Sequence, residues 1–174
     1  PDAPLKDRVM TPLEKIQGLL DRSLDLKRQV RDAHLGVLPV MADACARAVA
    51  QGGKILICGN GGSAGDAQHL AAELLVRLRP DINRGGIPAI PLALDSSSMT
   101  ACANDYGFDL VFARMVEALG RKGDVLLVLT TSGQSVNVLR ALEAARAMGI
   151  ATLGFLGGDG GPALALCDHA FIVP

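Results

Sequence analysis

From Lys54 onward, short apolar runs alternate with segments of helical spacing, and this alternation restricts the fold more than any other feature of the sequence. The runs lie at 55–58, 89–94, 125–129, 151–155 and 170–173. Apolar residues at consecutive positions mark strands covered on both faces. The intervening segments, around 64–78, 110–119, 136–148 and 162–166, have helical patterning. Strands separated by helices predict an α/β domain, a three-layer, doubly wound, five-stranded parallel sheet. Ligands of such sheets bind beyond the carboxyl ends of the strands, which directs attention to the residues that follow each one.

A helical extension precedes the sheet. Residues 1–10 read as a flexible lead. Thr11-Pro12-Leu13-Glu14 then combines a Thr cap, Pro in the first turn and Glu three residues after the cap, the pattern of a capping box. The helix it opens carries Leu13, Ile16, Leu20 and Leu24 on one face. A second helix is expected over 35–49, with Leu38, Met41, Cys45 and Ala48 at helical spacing and Gly52-Gly53 as its stop. These helices, within 11–51, have two places to pack, on the sheet or against a partner subunit. Residues 11–174 read as one domain, since RPDINRGGIP (79–88) has the character of a connection.

Several function classes are excluded at this level. Net charge is -1, aromatic residues make up 3% of the chain and Trp is absent, so neither a phosphate-tracking surface nor a base-stacking platform is expected. Cys45, Cys58, Cys102 and Cys167 form no CxxC pair, which favours reduced, buried thiols over a zinc knuckle or a disulfide framework. PDAPLKDRVM lacks the apolar run of a signal peptide, and no apolar stretch approaches the ~20 residues that span a bilayer. The expectation is a soluble, cytoplasmic protein with no membrane partner.

Two loops have the makings of an anion site. Gly59-Asn60-Gly61-Gly62-Ser63 follows the first strand and leads into a helix, where free N–H groups and a partial positive charge suit a phosphate or a sugar hydroxyl. Alone it reads equally well as a plain βα turn. It matches neither G-x-G-x-x-G nor a Walker sequence, which disfavours a nucleotide. Thr130-Thr131-Ser132-Gly133-Gln134-Ser135 follows the third strand and also opens a helix. One hydroxyl suffices for a cap; four point to an uncharged phosphate cradle. His69 and Glu73 stand one turn apart on a helix and are both metal-ligating types, but spacing alone favours a surface pair. Asn104-Asp105-Tyr106-Gly107, placed between strand two and the next helix, has the chemistry of an Asx turn. His34 and His169 are isolated, and the absence of G-x-S-x-G argues against a serine triad.

In order and at these distances, GNGGSAGDAQHLAAE (59–73), ANDYGFDLVFAR (103–114), GRKGDVLLVLTTSGQSVNVLRAL (120–142) and GFLGGDGG (154–161) resemble the SIS (sugar isomerase) domain family, and within it the phosphoheptose isomerases. The likeness runs from about Leu38 to the end of the chain and implies a flavodoxin-like sheet. It implies substrate contacts from Asn60, Gly61 and Gly62, sugar-hydroxyl contacts from Asn104 and Asp105, and a phosphate held by Thr130, Thr131, Ser132 and Ser135. It further implies zinc on His69 and Glu73, with Glu73 also placed for proton transfer, and a homotetramer with active sites built from adjacent subunits. The implied reaction converts sedoheptulose 7-phosphate to D-glycero-D-manno-heptose 7-phosphate, the start of activated heptose supply for bacterial surface polysaccharide such as lipopolysaccharide.

Two departures accompany the resemblance. Thr130 stands where the family usually has Ser, which keeps the hydroxyl. The family also continues past the position of Pro174 into a helix that supplies a Gln and a His, and that segment is expected to belong to the protein beyond the last residue here. The competing reading is non-catalytic: a SIS protein that binds a replication initiator or senses a phosphosugar. An initiator-binding relative is expected to lack the acidic residue at Glu73, so its presence favours the enzyme. An isomerase of another phosphosugar is a third reading.

Overall fold

The structure, a computed structural model, describes residues 10–93 and 95–174. The expected flexible lead falls outside the described residues except for Met10, and so does Leu94 at the end of the second expected strand.

Five parallel strands, β1 (Ile55–Gly59), β2 (Ala89–Pro91), β3 (Val125–Thr130), β4 (Ala151–Gly157) and β5 (His169–Val173), form one sheet in the order β2-β1-β3-β4-β5. β1 and β3 pair in register from Ile55↔Val125 to Gly59↔Leu129, so both strands end at the same edge. Burial explains their composition. In β1, Leu56 and Cys58 face one apolar cluster while Ile55 and Ile57 face another on the opposite side of the sheet. A strand wetted on neither face has no polar side to display.

Among the described residues the α-helices are α1 (Pro12–Ala33), α2 (Leu38–Ala50), α3 (Gly62–Leu75), α4 (Ser96–Tyr106), α5 (Val111–Leu119), α6 (Val136–Ala147) and the short α7 (Gly161–Leu164), of which α2 to α7 flank the sheet. α2 and α3 bury Met41, Ala48, Ala67 and Ala71 on one face. α4 to α7 cover the other with Cys102, Phe112, Val138, Leu142 and Ala163. Small alanines at the α3 contact let the helix lie close to the strands.

Three expectations are corrected. The second strand is only Ala89–Pro91. The third helix spans Gly62–Leu75 rather than 64–78. Asn104, Asp105 and Tyr106 are not a loop but the last turn of α4, which sequence reading missed. Asp95 caps α4 by accepting from the N–H groups of Ser97 and Ser98, each at 3.0 Å. The predicted capping box is present: Thr11 N–H donates to Glu14 Oε2 (2.8 Å) and Glu14 N–H to Thr11 Oγ1 (3.2 Å). Yet α1 has no buried residue, and its stripe stays exposed, with Leu13 63% and Leu20 60% accessible.

At the amino edge of the sheet one buried carboxylate ties β1 to β3. Asp124 accepts from Lys54 Nζ (2.6 Å), Lys54 N–H (2.9 Å) and Arg121 N–H (2.8 Å). Burial pushes its carboxyl up, but these donors outweigh that and hold it below the usual aspartate range. A depressed folded-state value contributes stability at neutral pH that is lost as pH falls through it. Asp124→Asn, which leaves Lys54 without its anion, is expected to cost about 2–3 kcal/mol in denaturant unfolding at pH 7. The difference from wild type should shrink in acid below the usual aspartate range.

Candidate functional site

The loops after β1 and β3 meet at the carboxyl edge of the sheet, where the chain leaves β1 toward β2 and β3 toward β4. Crossovers diverging from adjacent strands open a crevice between them. The cleft there has a volume of ≈ 460 Å³ and is lined by Ser63, Asp66, Thr130, Thr131, Phe155 and Gly157, among others.

Gly61, with φ +56°, stands just before α3, a conformation that a side chain would strain. The turn is closed by Ser63 N–H donating to the Asn60 carbonyl (3.0 Å). Asn60 is half-buried, and its side chain is engaged: Asn60 Nδ2 donates to Asn137 Oδ1 (2.8 Å) and Asn137 Nδ2 to Asn60 Oδ1 (2.9 Å). Asn137 lies in the first turn of α6 and is 2% exposed. Sequence reading missed it, because its partner is 77 residues away.

The hydroxyl segment divides its labour. Thr130 is buried, and its Oγ1 accepts from Gly133 N–H (3.2 Å), so this hydroxyl shapes the loop. Ser132 Oγ accepts from Gln134 N–H (3.2 Å). Ser135 precedes α6 in an extended conformation and makes no side-chain cap hydrogen bond, which leaves its hydroxyl, with the first N–H groups of α6, to meet a ligand. Thr131 is exposed along the cleft.

Glycines of the β4–α7 segment hold this loop from the other side. A Cβ on Gly133 would collide with the Gly160 carbonyl, and one on Gly157 with the Thr131 carbonyl. Ala163 N–H donates to the Gly133 carbonyl (3.1 Å). The GGDGG stretch is therefore backbone-to-backbone support for the cradle.

His69 and Glu73 do form a pair, with His69 Nε2 3.0 Å from Glu73 Oε1. The histidine side chain is 72% accessible and the glutamate 28%. Both lie along α3, and at a rise of 1.5 Å per residue Glu73 stands about 16 Å down the helix from Gly62. The pair thus lies well down α3 from the glycine loop. Asn104 and Asp105 are exposed at the end of α4 and bond to each other (2.9 Å). As a zinc site, His69 and Glu73 offer suitable donor types but only two of them; among the described residues no group of three His, Cys, Asp or Glu side chains is placed to hold a metal.

Arg84, also missed in the sequence, secures the end of α3. Its guanidinium donates to the carbonyls of Glu73 (2.6 Å) and Leu74 (2.8 Å), groups that a helix terminus leaves unpaired. Among the thiols, burial pushes Cys58 up to about 12. Burial first, and the nearby Asp168 carboxylate second, push Cys167 up to about 11. Neither has the depressed value of a nucleophile.

The SIS domain family matches residues 20–157. A phosphoheptose isomerase of Chlorobaculum parvum is 54% identical over 152 residues, 87% of this chain and 73% of the relative. The structure of a phosphoheptose isomerase from Francisella tularensis superposes with a TM-score of 0.90 at 38% identity, over 95% of this chain and 87% of that one. One from Neisseria gonorrhoeae gives 0.87, also at 38% identity, over 94% and 87%. With that match, those identities and the same strand-end architecture, the chain belongs to the SIS domain family and, within it, to the phosphoheptose isomerases.

Proposed function

We propose that this chain interconverts sedoheptulose 7-phosphate and D-glycero-D-manno-heptose 7-phosphate, supplying activated heptose for surface polysaccharide. The observation that carries the reading is 54% identity to a phosphoheptose isomerase across 87% of the chain. The site chemistry supports it: a phosphate cradle built on Ser135, Thr131 and the start of α6, with a carboxylate, Glu73, on the helix that begins at the neighbouring loop. Retention of Glu73 favours the enzyme over a regulatory or initiator-binding relative. Four unpaired cysteines support a cytoplasmic location, and no single helix among the described residues is long and apolar enough to cross a membrane.

The reaction moves a proton from C1 to C2 of the sugar. Glu73 takes the C1 proton, the electron pair of that bond moves through C1–C2 to the carbonyl oxygen, and an enediolate forms. Return of the proton to C2, with transfer of the O1 proton to O2 as the C1 carbonyl forms, gives the aldose. His69, 3.0 Å away, orients the Glu73 carboxylate. The helix N-terminus binds the phosphate without Lys or Arg, and this remote binding holds the reacting carbons in place. A zinc held by His69 and Glu73 would polarise the carbonyl when bound.

The proposal includes a homo-oligomer, a homotetramer by the resemblance, with shared sites. Two features support it. The His69–Glu73 pair stands down α3, away from the glycine loop where that helix begins, and His69 is largely exposed. α1 also presents Leu13, Ile16, Leu20 and Leu24 to solvent, and a separate apolar groove is lined by Cys45, Val49, Leu70, Leu74 and Ile87.

Glu73→Gln is expected to lower turnover of sedoheptulose 7-phosphate by about 10²–10⁴-fold while inorganic phosphate still inhibits binding of the sugar. Near-normal turnover in a coupled assay would sink the role of Glu73. Leu20→Asp, on a helix with no buried residue, is expected to leave the fold intact, reduce the oligomer in sedimentation and lower turnover with it. Chelation is expected to abolish turnover and zinc to restore it.

A further inference from the structure

Nothing in the catalytic scheme uses Asn137, yet it is a buried polar side chain bonded to the loop that follows β1. It is 2% exposed, and its amide meets that of Asn60 in two hydrogen bonds of 2.8 and 2.9 Å. An Asn amide carries two donor hydrogens and two acceptor lone pairs. The reciprocal pair uses one of each on both residues. Asn137 is sealed from solvent, so its remaining capacity reaches no ligand. Asn60 is half-buried, so its remaining donor and acceptor are not sealed in the core as those of Asn137 are.

The two residues sit on opposite sides of the crevice between β1 and β3. Asn60 follows β1 beside Gly61, and Asn137 lies in the first turn of α6. Without a tether, the side chain of Asn60 would sample several rotamers, and ordering it would cost binding energy. We infer that Asn137 is a positioning residue: it holds the Asn60 amide in the one orientation that meets the sugar hydroxyls of the substrate, while the phosphate is held independently by Ser135 and the α6 backbone. This rests on the isomerase reading proposed above. It assigns the two halves of the ligand to separate devices, with Asn137 serving the sugar half although it belongs to the helix that holds the phosphate.

The test is a double-mutant cycle on the full chain with Asn60→Ala, Asn137→Ala and the double variant, and with Asn137→Ser in case the alanine variant folds poorly. Three readouts are taken: kcat/KM for sedoheptulose 7-phosphate, the inhibition constant of inorganic phosphate, and Tm. Each single variant is expected to lower kcat/KM about tenfold, as loss of one oriented hydrogen bond would. The double variant should be no worse than about twofold below either single, because both changes remove the same contact. Inhibition by inorganic phosphate should stay within about twofold of wild type. A merely structural Asn137 would instead lower Tm and weaken sugar and phosphate in parallel. That result, multiplying effects in the double variant, or an unchanged kcat/KM would each overturn the inference. Wild-type turnover is the control on the isomerase reading. If wild type fails to turn over, that reading falls, and calorimetric binding of the same sugar phosphate to the four proteins still decides the role of Asn137.

Discussion

The pairing of β1 with β3 governs everything else in the molecule. Their backbones run in register from Ile55↔Val125 to Gly59↔Leu129, and the chain then departs in opposite directions, through α3 to β2 and through α6 to β4. Right-handed crossovers that diverge in this way put their helices on opposite faces of the sheet. α3 accordingly packs in one apolar cluster and α6 in the other. The crevice between the two loops is a consequence of topology, and no side chain has to open it. Asp124 closes the amino edge of the same strand pair, where Lys54 and Arg121 bind it. The strands are thereby anchored at one end and left to build a ligand site at the other.

At the open end the loops are held by groups that carry no net charge. The Asn60–Asn137 pair spans the crevice, and the glycines of 157–161 press against the hydroxyl loop from the far side. A cradle made of N–H groups and hydroxyls binds a dianion while costing little when empty, since it buries no unpaired charge. Such a device needs rigidity, because its strength comes from donors already aimed. The glycine contacts provide it: any side chain at Gly133 or Gly157 would push the two backbones apart.

Much of this was legible in the sequence, and what was not has physical reasons. The strands β1, β3 and β4 stand out because burial on both faces leaves largely apolar runs, β5 at the edge is an apolar run only half-buried, and the Thr11 capping box is a local code read locally. α4 escaped notice because its first turn is Ser96-Ser97-Ser98 and its apolar contacts are few, with only Cys102 buried. The Asp95 cap three residues before Ser98 was the signal that would have found it. The hydroxyl cluster was visible as a group, but the division between loop-shaping Thr130 and Ser135, whose hydroxyl makes no cap bond, depends on hydrogen bonds that spacing does not encode. Asn137 and Arg84 were invisible for the same reason: each acts on a residue brought close by the fold. The spacing of His69 and Glu73 was plain, while their place down α3 from the glycine loop emerged only once α3 had a direction.

The proposed shared site makes the assembly part of the chemistry. The account holds that a working site joins the cradle of one copy to the His69–Glu73 pair of another. The most direct measurement is complementation in mixed oligomers. Glu73→Gln subunits, which keep the cradle, would be reassembled with subunits carrying Ser135→Asp, which keep the carboxylate and repel the phosphate, and turnover of sedoheptulose 7-phosphate followed. The account predicts that two inactive variants regain measurable turnover on mixing, because some sites then pair an intact cradle with an intact Glu73. Mixed oligomers that stay as inactive as their parents would show that the site lies within one chain, and the shared-site account would be wrong.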